Sequence, residues 1–598
     1  MSGFAGVFQL DGAPVDRTWL ETMANFLSFR GPDGTEVWTS GSAGLCHTLL
    51  RTRAETDNRP QIASLDETFF LAGDVRIDDR ETLIAKFSDQ SPQLKAASSA
   101  ELILHAYAKW GEASVEHLLG DFSFVIWDAR RKRVFAARDQ LGVRPLFYAQ
   151  VGQCLLISNT LDCIRQIKIV PDELDEHTVG DFLIFGENKN PAATFFSAIR
   201  RLPVANRLSA GASGLTTEKY WTLPIDAPVY YKRAGDYVDR FHELLRAAVR
   251  DRLPDGPLGI LMSGGLDSPA VAATAVQLGA ATSAFTSVYD RLIPDEERYY
   301  AGLVADHLRI PIHYNVRDDE PWAWDGEPNV IQTPEPLSDP TSLSASRSYH
   351  HEISGQARVF FLGDGPDAAL FNDWKPYLRW LARERKLGRL CQALLLDFAA
   401  SPRIPVLHTI PRRWHERAKN QPDWYEASFP QWLNPEFEAR LGLRERWQKL
   451  GKWLPSKHPI REIGYANFAC DLPMGGADGW DAGFTNVRAD FLHPLWDLRM
   501  VRFLLSVPAM PWCRNKHLIR VALRGYVPEA VRKRPKSPLP GLPYLIRARA
   551  VEPPNLPPVA ILDGYINTDQ LPKWPGRNRE ELDLRLRVLG LHYWLFSL

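Results

Sequence analysis

Residues 258–279 constrain this chain more than any other stretch. Leu258-Gly259-Ile260-Leu261-Met262 is a short apolar run that reads as a buried strand. Ser263-Gly264-Gly265-Leu266-Asp267-Ser268 follows as a tight polar loop. Pro269 to Leu278 is an Ala-rich helical run, with Pro in its first turn and Gly279 just past its end. The free N–H groups and dipole at such a helix start favour an anion, most simply a phosphate chain. Gly264 and Gly265 are expected to take positive φ and to let the backbone approach the ligand. Ser263 and Ser268 add hydroxyls. Asp267 is the odd member, because a carboxylate beside a phosphate is repulsive. A divalent cation between the two removes the conflict. An ordinary βα turn needs no more than a glycine, whereas the whole string in this setting points to phosphate binding.

The elements after this loop alternate. Thr282 to Val288 is a second strand, Glu296 to Leu308 a helix, Ile312 to Val316 a third strand and Val359 to Leu362 a fourth. Such alternation implies a doubly wound parallel sheet with helices on both faces and its ligand at the carboxyl ends of the strands. Gly363-Asp364-Gly365-Pro366-Asp367 leaves the fourth strand at that edge. Residues 1–215 read differently, as a β-rich α+β unit. Short alternating runs such as Phe4 to Phe8, Phe69 to Val75, Phe122 to Asp128 and Val134 to Asp139 suggest stacked antiparallel sheets, with a helix over Ala100 to Trp110. A Pro-rich, aromatic crossing segment, Tyr220 to Ala234, joins the two. The division expected is 1–215 and 216–598, an α/β multidomain protein. Asp373 to Gln448 is Trp/Arg-rich and helical in pattern.

Composition narrows the function classes. A length of 598 residues allows several domains, and 45% hydrophobic content supplies full cores. A net charge of −1 excludes a broad electrostatic footprint, so no nucleic-acid partner is expected. Six scattered cysteines form no CxxC pair, which fits reduced thiols rather than disulfides or zinc. No run approaches the ~20 apolar residues of a membrane helix, and Met1 to Gly6 carries no signal-peptide pattern. A soluble cytoplasmic protein with no membrane partner is the expectation.

The SGGLDS string resembles the pyrophosphate-binding motif of the ATP pyrophosphatase (adenine nucleotide alpha hydrolase-like) superfamily, which includes asparagine synthetase. The resemblance implies ATP and Mg²⁺, cleavage between the α- and β-phosphates, and adenylation of a substrate carboxylate. Met262, Ser263, Gly264, Gly265, Leu266, Asp267, Ser268, Val288 and Gly363 would then form the nucleotide site. Asp267 and Asp367 would share the Mg²⁺. Lys516-His517-Leu518-Ile519-Arg520 through Val527-Pro528 to Arg534-Pro535-Lys536 resembles the family's Lys-x-x-x-Arg…Pro…Arg-x-Lys stretch. It implies a catalytic Lys536 that stabilises charge on the α-phosphate and acyl oxygens, and Lys516 as a weaker phosphate contact. The second residue of the Gly363–Asp367 loop varies with chemistry in this family: Glu in asparagine synthetase, Tyr in β-lactam synthetase. Asp364 is neither, which implies another acceptor. Asp471 to Asp478, leading into Phe491-Leu492-His493-Pro494-Leu495-Trp496-Asp497, resembles the segment ending in Pro-Phe-Leu-Asp. By that spacing Asp478, with Asp481 a weaker choice, would assist substrate deprotonation.

In the first domain, Arg30-Gly31-Pro32-Asp33-Gly34, Leu119 to Asp128 and Ala137 to Tyr148 resemble the glutaminase domain of class II amidotransferases, an Ntn-type α+β sandwich. The departures matter more. The family's nucleophilic Cys after the initiator Met is Ser2 here. Its glutamine-binding Arg is Leu49, its oxyanion-hole Asn is Ala72, and its amine-binding Asp is Ser99. Four losses in one pocket imply a degenerate glutaminase.

A chain that adenylates a carboxylate without making ammonia needs an amine from elsewhere. Together with length and the C-terminal extension, this resembles lasso peptide cyclases. In those enzymes an Asp or Glu side chain of a precursor core peptide is adenylated and attacked by the peptide's own N-terminal amine, closing a macrolactam. Partners implied are that core peptide and the leader peptidase and leader-binding protein of the same pathway. The alternatives are a β-lactam synthetase, or an asparagine synthetase-like ligase using free ammonia or another amine.

Overall fold

The computed structural model describes residues 1–53, 61–87, 94–320, 333–370, 374–400, 429–450, 458–471, 474–536, 541–553 and 557–598. Part of the Trp/Arg-rich region, 401–428, and Leu472 and Pro473 lie outside the described residues. The helices Trp374–Arg383, Leu387–Ala400, Pro435–Leu441 and Leu443–Leu450 bear out the helical pattern on either side.

The first domain is a four-layer α/β/β/α sandwich. Two six-stranded sheets face each other. Gly3–Gln9 lies inside one, between Cys154–Ser158 and Ala43–Thr48, antiparallel to both. Gly120–Asp128 lies inside the other, between Phe69–Ile77 and Arg133–Arg138. Strand alternation explains the layers. Phe4, Phe8, Ala72, Val125 and Trp127 meet between the sheets, while Ala5 and Val7 turn outward onto Leu20 and Met23, and Phe122, Phe124 and Ile126 onto Leu102, Ile103 and Ala106. The helix carrying those last residues, Ser99–Trp110, starts on a reciprocal capping box between Ser98 and Glu101. The last strand of the sandwich is Gly214–Lys219, a few residues beyond the boundary expected from sequence.

The second domain holds a five-stranded, wholly parallel sheet. Its order is Ile312–Val316, Thr282–Val288, Leu258–Leu261, Val359–Phe361 and Asp490–Leu492. In chain order this is 3-2-1-4-5, so the order reverses between the first strand and the fourth. Both faces are covered. Leu258, Ile260, Val359 and Phe361 pack with Leu244, Val271 and Val304, whose helices are Ala234–Arg250, Asp267–Gln277 and Glu297–Leu308. Phe285, Phe360 and Phe491 pack with Ile353 of Leu343–Ser354 on the other face. The Met1 side chain joins this second cluster, so the first domain inserts an apolar residue into the core of the other.

Buried ion pairs clamp the domains together. Arg144 is 2% exposed and bidentate to Asp490 at 2.9 and 3.0 Å, with Asp74 at 3.5 Å. Arg252 bridges Asp78 and Asp497, 3.0 Å from each. The C-terminal helix, Arg579–Ser597, returns to the first domain. Its Leu591 and Trp594 pack with Phe182, Phe195 and Phe196, and Arg587 donates to the Leu183 and Ile184 carbonyls. Among the described residues no helix is long and apolar enough to cross a membrane.

Candidate active site

The sheet reversal places two loops side by side. The 263–266 loop leaves the first strand and the 362–365 loop leaves the fourth, at the carboxyl edge where a doubly wound sheet binds its ligand. Small residues set the distance between them. A Cβ on Gly363 would sit 2.4 Å from the Ser268 nitrogen, and one on Gly259 would strike the Phe360 ring at 2.2 Å. Gly365 has φ +130°, which admits few residues but glycine. The expectation of positive φ at Gly264 and Gly265 is not met. Gly264 is required for space instead: a Cβ there would meet the Tyr300 Cβ at 2.5 Å.

The helix Asp267–Gln277 starts without a side-chain cap, which leaves its first N–H groups to a ligand. The loop before it is pre-shaped. The Ser268 hydroxyl accepts from the Ser263 N–H at 2.9 Å, and the Glu297 carboxylate accepts from the Gly264 N–H. Arg534 ties this together. It donates to the Gly264 carbonyl at 3.0 Å and to Glu297 at 2.9 Å, and its guanidinium lies 4.0 Å from the Tyr300 ring centre.

A cleft of about 320 Å³ opens over these loops. Of the residues expected from sequence, Ser263, Gly264, Gly265, Leu266, Asp267, Asp367, Lys516 and Lys536 line it. Lys516, expected to be a weaker phosphate contact, sits between the two aspartates: its ammonium bonds to Asp267 and lies 2.9 Å from Asp367. Lys536 is 2.9 Å from the same Asp367 oxygen. Burial pushes the Asp267 carboxyl above its usual range despite Lys516. For Asp367 burial acts in the same direction, but Lys516 and Lys536 outweigh it and the pKa falls. Burial opposes the charge on Lys516, and the two aspartates more than restore it.

These groups fit a divalent cation. Among the described residues Asp267 Oδ1 is buried with no hydrogen-bond partner, an acceptor that a cation would satisfy. No cluster of three or more His, Cys, Asp or Glu able to hold a metal occurs among the described residues. The paired aspartates suit Mg²⁺, which takes one or two carboxylates and completes its shell with phosphate oxygens and water.

Other expected residues fall elsewhere. Met262 turns into the core and its carbonyl accepts from the Thr286 hydroxyl at 2.9 Å. Val288 is buried at its strand end, and Ser268 and Gly363 support the loops from behind. Asp364 stands on the cleft-edge loop with its side chain 56% exposed; burial of its carboxyl, then Asp367, raises its pKa. Asp478 is a correction. It pairs with Arg138 at 3.3 Å and with Arg201, both from the first domain, and Asp481 pairs with buried Arg30. The chain around 478 folds toward the domain interface, where these arginines meet it, so both acids serve as clamps between domains. Sequence reasoning missed Glu297, Asn515, Arg520 and Arg534 in the cleft wall. The two arginines stood inside the basic stretch already singled out; Glu297 gave no local signal.

In the first domain, Ser2, His47, Leu49, Gly73, Asp74 and Ser99 converge on a separate cavity of about 160 Å³, walled on its far side by Val359, Asp490 and Leu492. Three of the four positions that depart from the glutaminase pattern, Ser2, Leu49 and Ser99, are thus brought to one place, while Ala72 turns into the core between the sheets. The Ser2 hydroxyl is occupied, accepting from the Leu50 N–H at 3.1 Å. Ser99 accepts from the Ile77 N–H at 3.2 Å.

Comparison with known proteins agrees with the two halves of this fold. A family profile described as asparagine synthase matches residues 240–553, more than half of the chain, and one described as a glutamine amidotransferase domain matches 1–221. The chain is similar to asparagine synthetase 3 (glutamine-hydrolyzing) of Bacillus subtilis, 24% identical over 556 residues, covering 88% of this chain and 84% of that protein. It is similar to asparagine synthetase 1 of the same organism, 21% identical over 570 residues, covering 92% and 87%. Amidase chyE of Penicillium rubens is 25% identical over 368 residues, covering 58% and 54%.

Proposed function

The chain belongs to the asparagine synthase family, and we propose that within it this protein is an AMP-forming peptide cyclase that closes a macrolactam in lasso peptide biosynthesis. One contrast carries the reading: the second domain keeps a complete set of charged groups for handling ATP, while the first has Ser2, Leu49, Ala72 and Ser99 where glutamine hydrolysis needs other chemistry. An enzyme without its own ammonia is best served by an amine on the substrate.

The roles follow from position. ATP is the substrate, its phosphates over the uncapped helix start and the Ser263–Leu266 loop. Asp267 and Asp367 would hold Mg²⁺, which when bound neutralises phosphate charge. Lys516 is freed from the two carboxylates to face phosphate. Lys536 reaches the α-phosphate and the acyl oxygen of the Asp or Glu side chain under attack, where negative charge develops. The N-terminal amine of the same core peptide then displaces AMP. Holding both ends of one peptide makes this step effectively unimolecular. The leader peptidase and leader-binding protein of the pathway would supply the trimmed peptide.

The test uses purified protein, ATP, Mg²⁺ and the leader-free core peptide encoded beside its gene. The expected product is lighter by one water, with AMP and pyrophosphate released; formation of ADP instead overturns the adenylation step. A second reading has support in the two Bacillus relatives, whose similarity spans most of their length. It is amidation of free L-aspartate with ammonium, and asparagine formation under the same conditions would favour it.

A further inference from the structure

His493 follows the last parallel strand and is 2% exposed. Its ring lies flat on the Trp496 indole, with centroids 3.8 Å apart and planes 6° from parallel, so packing fixes its orientation. Burial lowers its pKa to about 3 and keeps it neutral, with a single N–H to place. Nδ1 has no hydrogen-bond partner among the described residues. Leaving a buried polar group unpaired costs about 1–3 kcal/mol, so such an atom calls for an explanation.

Asp364 lies within reach. Its Oδ2 is 3.7 Å from His493 Nδ1, too long for a hydrogen bond, yet the side chain is half exposed and has room to turn. The loop that carries it is pinned against the same tryptophan: a Cβ on Gly365 would lie 2.8 Å from Trp496 Cδ1. The neighbouring carboxylates are committed, Asp267 to Lys516 and Asp367 to Lys516 and Lys536. Among the described residues Asp364 makes no ion pair with a lysine or arginine, and this neutral ring is what faces it.

We infer that His493 is the positioning residue for Asp364, donating from Nδ1 to hold its carboxylate against the incoming amine as the amide forms. This rests on the amide-ligase reading and deepens it. The C–N bond forms as the bond from the acyl carbon to AMP breaks. The amine proton passes to the Asp364 carboxylate, and His493 keeps its own. A neutral donor serves here because it orients the acid without adding charge beside the adenylate.

The test compares His493→Phe, which keeps the stack on Trp496 and removes the donor, with His493→Asn, which returns an N–H near the Nδ1 position. With the core peptide and ATP, His493→Phe is expected to lower kcat at least about tenfold with the KM for ATP unchanged, and His493→Asn to recover most of the loss. Adding Asp364→Asn to His493→Phe should cost nothing beyond Asp364→Asn alone. Wild-type turnover in His493→Phe, or two losses that multiply, overturns the inference. A second measurement needs no substrate. In full-length protein carrying ¹⁵N-histidine, Asp364→Asn should move the Nδ1 resonance of His493, assigned by its loss in His493→Phe; an unmoved resonance overturns the pairing. Failure of wild type to release AMP refutes the ligase reading instead, and the resonance still decides the pair.

Discussion

The C-terminal cleft and the N-terminal cavity teach opposite lessons. Both are lined by charged and polar side chains among apolar ones. In the C-terminal cleft the charges remain partly unspent: Asp267 Oδ1 is orphaned, and Lys536 is 64% exposed beside a half-exposed Asp367. In the N-terminal cavity the two serines are spent on the backbone, while Asp74 Oδ2 and Arg144 Nε lack a hydrogen-bond partner among the described residues. Ser2 and Ser99 cap backbone amides, and Arg144 and Asp490 bind each other bidentately across the domain boundary. The difference lies in access: the cleft leaves Lys536 and Asp367 open to solvent, whereas Arg144 and Asp490 are shut into the domain boundary.

The largest way to break this comparison is Arg144→Ala. It leaves Asp490 and Asp74 facing one another in a buried interface, and should destabilise the protein by about 3–5 kcal/mol, read by chemical denaturation. A small loss would mean that the interface is not the structural element inferred. Lys536→Ala should act in the opposite way. Its exposed side chain bears little on stability, but amide formation should fall by about 10²–10³ in kcat with the melting temperature unchanged.

Acid should destabilise the buried region around His493 and Asp497. His493 is held at about 3 by burial, and Asp497 at about 2 because Arg499 and Arg252 outweigh its burial. Both folded values lie below the unfolded ones, about 6.5 and 3.9, so the folded state binds fewer protons. The stability tied to His493 is complete above about pH 6.5 and is lost as pH falls toward 3. That tied to Asp497 is complete above about 3.9 and is lost toward 2. Unfolding free energy measured from pH 7 to 4 should therefore decline, and less steeply in His493→Phe. The smallest effect belongs to Ser2→Ala. Loss of one hydrogen bond to Leu50 should cost about 1 kcal/mol of stability and leave cyclisation within about twofold. A drop beyond tenfold would restore a chemical role to the first cavity.

The parallel sheet and its edge loops were legible in the chain because they are local. Thr282–Val288 and Ile312–Val316 are short runs rich in β-branched and aromatic residues, and the strand–loop–helix at 258–279 carries its own start and stop signals. The glycines were legible as necessary but not for the right reason. Backbone freedom was expected at Gly264, whereas proximity to Tyr300, 36 residues on, is what excludes a side chain there.

By itself the sequence determined the class of fold, the strand–loop–helix at 258–279 and the residue types that depart from the glutaminase pattern in the first domain. Each rests on short-range pattern or on which residue type stands at a motif position. Only the tertiary structure decided that Lys516 bridges the two aspartates, that Asp478 and Asp481 clamp domains, that the C-terminal helix belongs to the first domain's core, and that His493 meets Asp364. Those facts depend on contacts between residues tens to hundreds of positions apart. A charge in a sequence carries no mark of its partner, which is set when packing closes the distance between elements. The loop of Ser263 to Ser268 stands at the meeting of the two kinds of knowledge: its order is local, and the charged groups that face it, Asp367 and Lys516, are brought from elsewhere in the fold.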